Sequence, residues 1–396
     1  MVDASQPKAP IFLDRDGLLP APGLLAELDR PGLARTVTVF GQDAWLVTRA
    51  EDVRTVYGDA VLFTTSDSVP IFRNDDPERA DLPGALLFMD PPEHTEMRSM
   101  LTASFTTRAL ARLEPRITAI VDEHLDALVA KGSPADLVAA FSRPVPALVI
   151  CELLGVPEST RNAFQRDVDK SFDFTLSEEE RAAGNASINA YMGQLVDEAF
   201  RRPGEDMLGS LMQTYGDRLT RKGLVGIGAT LLQAGHETTA EMIASSVLTL
   251  LTHPAQLALF RNEPGVIRTA VEELLRYLAV VQISPPRRAT RDTVVGGQHI
   301  AQGDLLLAAL PAANHDPAAF DHPERLDLTR KASGHLAFGY GIHHCLGAPL
   351  ARLELGIALP ALFARLPHIT LDSAPEAIDY KTSTVAHGIR SLPIAW

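Results

Sequence analysis

Hydrophobic residues recur mostly at helical spacing along this chain. Leu113, Ile117, Ile120 and Val121 keep a 3.6-residue period, as do Leu137, Phe141 and Val145, and a further apolar helix runs through Ala348, Leu350, Leu353 and Ile357. Pro144 and Pro146 flank Val145, so that stretch should bend or break there. The charged run from Ser177 to Arg181 reads as a solvated face or a helix start. Strand-like runs are fewer. Thr36 to Phe40 and Ala44 to Thr48, around Gly41-Gln42-Asp43, predict a hairpin, and residues 285–300 predict strands around the Gly296-Gly297 turn. The proline-rich residues 7–22, within an N-terminal stretch of residues 1–35, read as an extended arm. From about Thr64 to Met89 acidic residues and prolines interrupt any period, which predicts a long surface loop of the kind that often serves function.

The longest apolar stretch is residues 220–252. Thr220 can cap a helix from Arg221 to about Thr252, stopped by His253-Pro254; Gly223 stands where a capping box would need Glu or Gln. About 32 residues at 1.5 Å each make a rod of roughly 48 Å, apolar on most sides and therefore buried. Its centre reads Ala234-Gly235-His236-Glu237-Thr238-Thr239, and Leu231, Gly235, Thr238 and Met242 fall on one face. A carboxylate and an alcohol in a buried helix are costly unless they serve something. Gly235 removes bulk where a flat ligand could approach, and Thr238 can bond its i−4 carbonyl or a water and loosen the helix locally. A small-residue helix contact with an outward Glu is the simpler alternative.

Only two cysteines occur, which excludes a disulfide framework and a zinc cluster. Cys151 sits in an apolar helical run and belongs to the core. Cys345 stands in Phe338-Gly339-Tyr340-Gly341-Ile342-His343-His344-Cys345-Leu346-Gly347. Glycines there allow tight turns and close approach to a flat ligand. The following helix would place amide N–H groups near Cys345, favouring thiolate over thiol. A rigid thiolate with one open face suits axial ligation of haem iron. Asp90-Pro91-Pro92 suits a helix start, which puts His94 and Arg98 four apart on one face, able to clamp carboxylates. Glu273 and Arg276 form an i, i+3 pair of a kind common on soluble helices.

Lys plus Arg number 36 against 50 Asp plus Glu, a net charge of −14, which argues against nucleic acid as partner. No secretory signal and no uninterrupted apolar run of about 18 residues is visible, so the chain reads as cytoplasmic without a membrane span.

The cysteine segment resembles the haem-binding loop of the cytochromes P450, Phe-Gly-x-Gly-x-x-x-Cys-x-Gly, at every fixed position. The centre of the long helix resembles the family's Ala-Gly-x-(Asp/Glu)-Thr-Thr box. The Glu-x-x-Arg pair, Pro323-Glu324-Arg325 and the Arg-x-Ala-x-x-Asp strand beginning at Arg287 follow in family order. The resemblance implies a mainly α fold, one P450 domain over residues 1–396 with small β-sheets. It implies haem b (iron protoporphyrin IX) bound through Cys345 within a loop bounded by Phe338 and Gly347, residues 338–360 forming that loop and its helix. Gly235 would lie against the haem, and His94, Arg98, Arg287 and His343 would meet its propionates. Glu237 and Thr238 would deliver protons during O2 activation, and Arg325 would join Glu273 and Arg276 in a buried network. Leu86, Leu87, Ala234, Val281, Ile283 and Val385 would line the substrate pocket. Electrons would come from NAD(P)H through ferredoxin reductase and ferredoxin.

Leu326 replaces the usual Phe after Arg325, and His315 stands where Arg is commoner. The implied reaction is hydroxylation or epoxidation of an apolar polyketide or macrolide-type metabolite. Oxidative coupling, a terpenoid or fatty-acid substrate and a haem-thiolate protein without turnover remain alternatives. A cysteine hydrolase using Cys345 with His343 or His344 would leave the long helix and the cationic residues unexplained.

Overall fold

The structure, a computed structural model, describes residues 10–396 other than 40, 66–83, 85, 158–159, 161–175, 283 and 382–383. The apolar stripes become helices stacked around the long one. In chain order these are α1 (Ala50–Gly58), α2 (Glu93–Thr102), α3 (Thr107–Lys131), α4 (Pro144–Leu154), α5 (Glu178–Arg201), α6 (Met207–Tyr215), α7 (Arg221–Thr252), α8 (Pro254–Asn262), α9 (Ile267–Leu278) and α10 (Ala348–Arg365). α7 buries residues along nearly its whole length, as its all-round apolarity requires. Helices α4, α5 and α10 pack against it, and α3 packs against α10 and α4. Inside α3 the stripe Ile117, Ile120, Val121, Leu125 and Leu128 faces the core.

Helix ends follow their side chains. The Thr220 hydroxyl accepts the Gly223 N–H at 3.0 Å, capping α7 without a capping box. Ser177 and Glu180 make the reciprocal capping box that opens α5. The break near Pro144 falls one residue earlier: a π-helical turn, Val138–Ser142, ends at Arg143, and Pro144 opens α4 at a position where a missing N–H costs nothing.

A five-stranded sheet flanks the helices. Its strands are β1 (Ala34–Val37), β2 (Asp43–Val47), β3 (Phe63–Thr64), β4 (Arg287–Ala289) and β5 (Leu305–Ala308), in the order β1-β2-β5-β4-β3. The β1–β2 hairpin is antiparallel, with Arg35 opposite Trp45, and β5 runs parallel to β2. Strands Thr293–Val295 and Gln298–Ile300 pair around the Gly296-Gly297 turn, and near the C-terminus Tyr380–Lys381 pairs with Gly388–Ile389.

From residue 10 onward the N-terminal stretch is not an extended arm. Residues 15–16 and 19–20 pair as a short hairpin, and residues 22–29 form helical turns. Leu24 supplies the reason: it is fully buried against Ala44, Leu46, Leu305 and Leu307 on the sheet, an apolar contact that local proline content does not reveal. The loop expected between Thr64 and Met89 lies mostly outside the described residues; at its end Leu86–Phe88 forms a 3₁₀ turn. Among the described residues no single helix is long and apolar enough to cross a membrane.

Candidate active site

Cys345 ends a tight loop that precedes α10. Its N–H donates to the Phe338 carbonyl at 2.8 Å, and the Gly339 N–H donates to Leu336, closing the loop on itself. Gly339 and Gly341 both have φ near +70°, a left-handed conformation, and a Cβ at Gly341 would overlap the Tyr57 carbonyl of α1. The close approach at Gly341 is therefore made by the protein's own backbone. The amide groups of Gly347 and Ala348 at the start of α10 point at the Cys345 sulfur. They do not win. Burial is the largest influence and pushes the thiol up, while those amides, Arg98 and Arg352 pull the other way. Cys345 nevertheless keeps solvent-accessible surface.

Beside it lies a cluster of basic side chains, two of them (His94 and Arg287) buried and two (Arg98 and His343) half-buried. His94 and Arg98 sit one turn apart on α2, Arg287 begins β4, and His343 precedes Cys345 by two residues. The His94 and His343 rings lie 4.3 Å apart, so His343 faces His94. Arg287 is 3% exposed and stacks over the Tyr57 ring at 4.7 Å, while the Tyr57 hydroxyl donates to Ser284. Three nitrogens here are buried without a hydrogen-bond partner: His94 Nε2, His343 Nε2 and Arg287 Nη1. Burial, then Arg287 and His94, drive the His343 pKa down to about 3. Burial and Arg98 lower that of His94. Asp90 opposes both shifts and is outweighed. Unpartnered nitrogens of basic side chains, each lowering the other's hold on a proton, are complementary to a ligand whose carboxylates restore that charge.

One face of α7 carries Ala234 and Thr238. Ala234 is exposed in the middle of a mostly buried helix, and the Thr238 hydroxyl donates to its carbonyl at 2.8 Å. The helix continues unbroken through this point. Gly235 is placed differently from expectation. A Cβ there would meet Ile150 Cδ1 of α4 at 3.0 Å, so the missing side chain lets α4 pack against α7 and does not make room for a flat ligand. Ala234 is the open neighbour of Thr238. Glu237 lies on the adjacent face, 3.7 Å from Lys381 Nζ.

Leu86 is buried in the core, Leu87 is 40% exposed, and Val281 and Val385 lie side by side, where Val281 bridges Ala386 and the Gln282 N–H donates to the Val385 carbonyl. Ile283 lies outside the described residues.

Behind the cysteine loop Glu273 and Arg276 make a two-pronged pair, Nε–Oε2 and Nη2–Oε1 both 2.8 Å, and both side chains are fully buried. Arg276 also donates to the carbonyls of Asn314 and Pro323. Arg325 does not complete this network. Its side chain is 71% exposed beside Glu324, and only its carbonyl accepts from Arg276. Arg330 takes the place, its Nε donating to Glu273 Oε1 at 3.1 Å. Backbone direction explains the exchange: after Pro323 the chain offers carbonyls inward and sends the Arg325 side chain out, and five residues later Arg330 returns.

Sequence reasoning also missed Glu272, beside Glu273. It holds Arg352 of α10 through two hydrogen bonds, 2.5 and 2.9 Å, and meets His335 Nε2 at 3.1 Å. Arg352 in turn lies 4.6 Å over the Phe338 ring. The doubled acid at 272–273 was the available signal.

An accessible cysteine at a helix start, unpartnered nitrogens of basic side chains near it and a long threonine-bearing helix are the parts that a haem-thiolate protein requires. The residues present fit that group. Residues 261–389 match the family model for cytochrome P450. The chain is 39% identical to cytochrome P450 FAS1 of Rhodococcoides fascians over 98% of both proteins, and 39% identical to the mycinamicin IV hydroxylase/epoxidase of Micromonospora griseorubida over 99% of this chain and 100% of that protein. The crystal structure of CYP105P1 in complex with filipin I superposes with a TM-score of 0.90 at 38% identity, covering 98% of each chain. The chain belongs to the cytochrome P450 family. It is a haem-binding monooxygenase acting on small molecules.

Proposed function

We propose that Cys345 is the axial thiolate of haem b, and that His94, Arg98, Arg287 and His343 receive its propionates. The three orphaned nitrogens beside the thiol carry this reading, since burying them unpaired costs about 1–3 kcal/mol each. Bound there, the haem supplies the activation of O2 and the transfer of one oxygen atom to a C–H or C=C bond. The protein's part is positioning and proton supply. Gly347 and Ala348 amides and Arg98 stabilise negative charge on sulfur. Ala234 and Val385 present apolar surface to substrate. The Thr238 hydroxyl donates to the Ala234 carbonyl, which leaves Oγ1 free to accept; in the relay it turns off that carbonyl, takes a proton at Oγ1 and gives up its own. Glu237 collects that proton from solvent.

Electrons come from a ferredoxin and its reductase. The substrate is a polyketide or macrolide-type metabolite, supported by relatives such as the mycinamicin IV hydroxylase/epoxidase. Two measurements test this. Cys345→Ala abolishes the thiolate-type spectrum of the reduced CO complex; persistence of that spectrum excludes Cys345 as ligand. Titration with a macrolide and polyketide panel shifts the haem absorption of wild type, and a response confined to fatty acids or terpenoids overturns the substrate class.

A further inference from the structure

The acid that the proposed relay needs is not held by α7 alone. Lys381, on the C-terminal hairpin formed by Tyr380–Lys381 and Gly388–Ile389, reaches back to α7 and meets two carboxylates one helical turn apart. Glu241 is 1% exposed. It forms a close ion pair with Lys381 Nζ and also accepts the Ile389 N–H at 2.9 Å. Gly388 makes this possible, because a Cβ there would overlap the Glu241 carboxylate. Glu241 is thus clamped between both strands of the hairpin, and it fixes the ammonium in place. Glu237 meets the same ammonium at 3.7 Å, longer than the paired distance of a charge-assisted bond. One carboxylate anchors the lysine, and the other is only steered by it. The hairpin that carries Lys381 also carries Val385, whose carbonyl accepts from Gln282.

We propose that Lys381 is a positioning residue for proton delivery, anchored by Glu241 so that its ammonium holds the Glu237 side chain at the solvent end of the relay. Lys381 neither gives nor takes a transferred proton in this scheme. The transferred protons come from water through Glu237, and the electrons come from NADH through the redox partner. The balance is O2 + NADH + H⁺ → H2O2 + NAD⁺, or O2 + 2 NADH + 2 H⁺ → 2 H2O + 2 NAD⁺, when no substrate is oxidised. This inference rests on the relay role proposed for Glu237.

The test uses the haem-loaded full chain in air, with a plant-type ferredoxin and its reductase raised until the rate no longer depends on them, and no organic substrate. NADH oxidation is followed in H2O and in D2O. Lys381→Met is expected to slow turnover about 10-fold and to raise the solvent isotope effect, as loss of a partner that orients a working group does. Lys381→Arg restores both, and Lys381→Met adds nothing to Glu237→Gln in the double variant. The reduced CO spectrum stays thiolate-type in every variant; loss of that band in Lys381→Met would show a structural role and overturn the proposal. A slow Glu237→Gln beside a wild-type Lys381→Met overturns the positioning role alone. Wild-type behaviour of Glu237→Gln overturns the relay reading beneath it, and additive effects in the double variant overturn the link between the two.

Discussion

Three arginines behind the cysteine loop rank in an order that the structure dictates. Arg276→Met removes both prongs of its pair with Glu273 and strands the carbonyls of Asn314 and Pro323, leaving a fully buried carboxylate with Arg330 and the Asp327 N–H. Breaking a buried pair from one side costs about 3–5 kcal/mol. Arg330→Met removes one bond to Glu273 Oε1 and the donors to the carbonyls of Asp321, His322 and Arg325, but leaves Glu273 with both prongs of Arg276. The cost is that of a hydrogen bond to a charged group plus partly exposed carbonyls that water can reach, about 2 kcal/mol. Arg325→Ala removes an exposed side chain beside Glu324 and leaves its carbonyl in place, so its effect stays within about 0.5 kcal/mol. Urea unfolding of the haem-loaded protein, followed by absorbance and by far-UV circular dichroism, measures all three. If Arg325→Ala proves as damaging as Arg330→Met, the assignment of the third member is wrong.

Thr238→Ala removes the hydroxyl that rests on the Ala234 carbonyl; peroxide released per NADH consumed should rise, and an unchanged ratio would count against a relay at this residue. Glu272 gives a pH signature. Burial alone would raise its pKa, but hydrogen bonds from His335 and Arg352 carry it down to about 2 from an ordinary 4.5. Its contribution of about 3 kcal/mol is therefore fully present above the unfolded value and is lost as pH falls from 4.5 through 2, and Glu272→Gln should flatten the acid limb of a stability profile that stays steep in wild type.

Much of the fold was legible because its determinants are local. The limits of α7 follow from Thr220 at one end and His253-Pro254 at the other, and its burial follows from apolar residues on all sides. The β1–β2 hairpin is written in two β-rich runs and a short turn. The N-terminal stretch misled because prolines describe only the chain near them. What folds residues 15–29 onto the sheet is the pocket that Ala44, Leu46, Leu305 and Leu307 provide for Leu24, and those residues are not its neighbours in sequence.

The same division runs through the site. His94 with Arg98 and Glu273 with Arg276 were readable because each pair lies on one helix, where spacing fixes which side chains share a face. Spacing is silent about what meets that face. Gly235 looked like clearance for a ligand, yet the atom that uses the clearance is Ile150 Cδ1, from a helix about 85 residues earlier by simple numbering. Glu237 looked like an acid in a buried helix, yet its partner Lys381 comes from a hairpin near the other end of the chain, and nothing local to α7 marks Glu241, one turn on, as the anchor. Arg325 and Arg330 are equally plausible partners for Glu273 until the backbone decides which side chain turns inward. Where a polar contact joins distant segments of this protein, a motif therefore locates one half of it; the other half is set by packing, and the arginine series separates the two most directly.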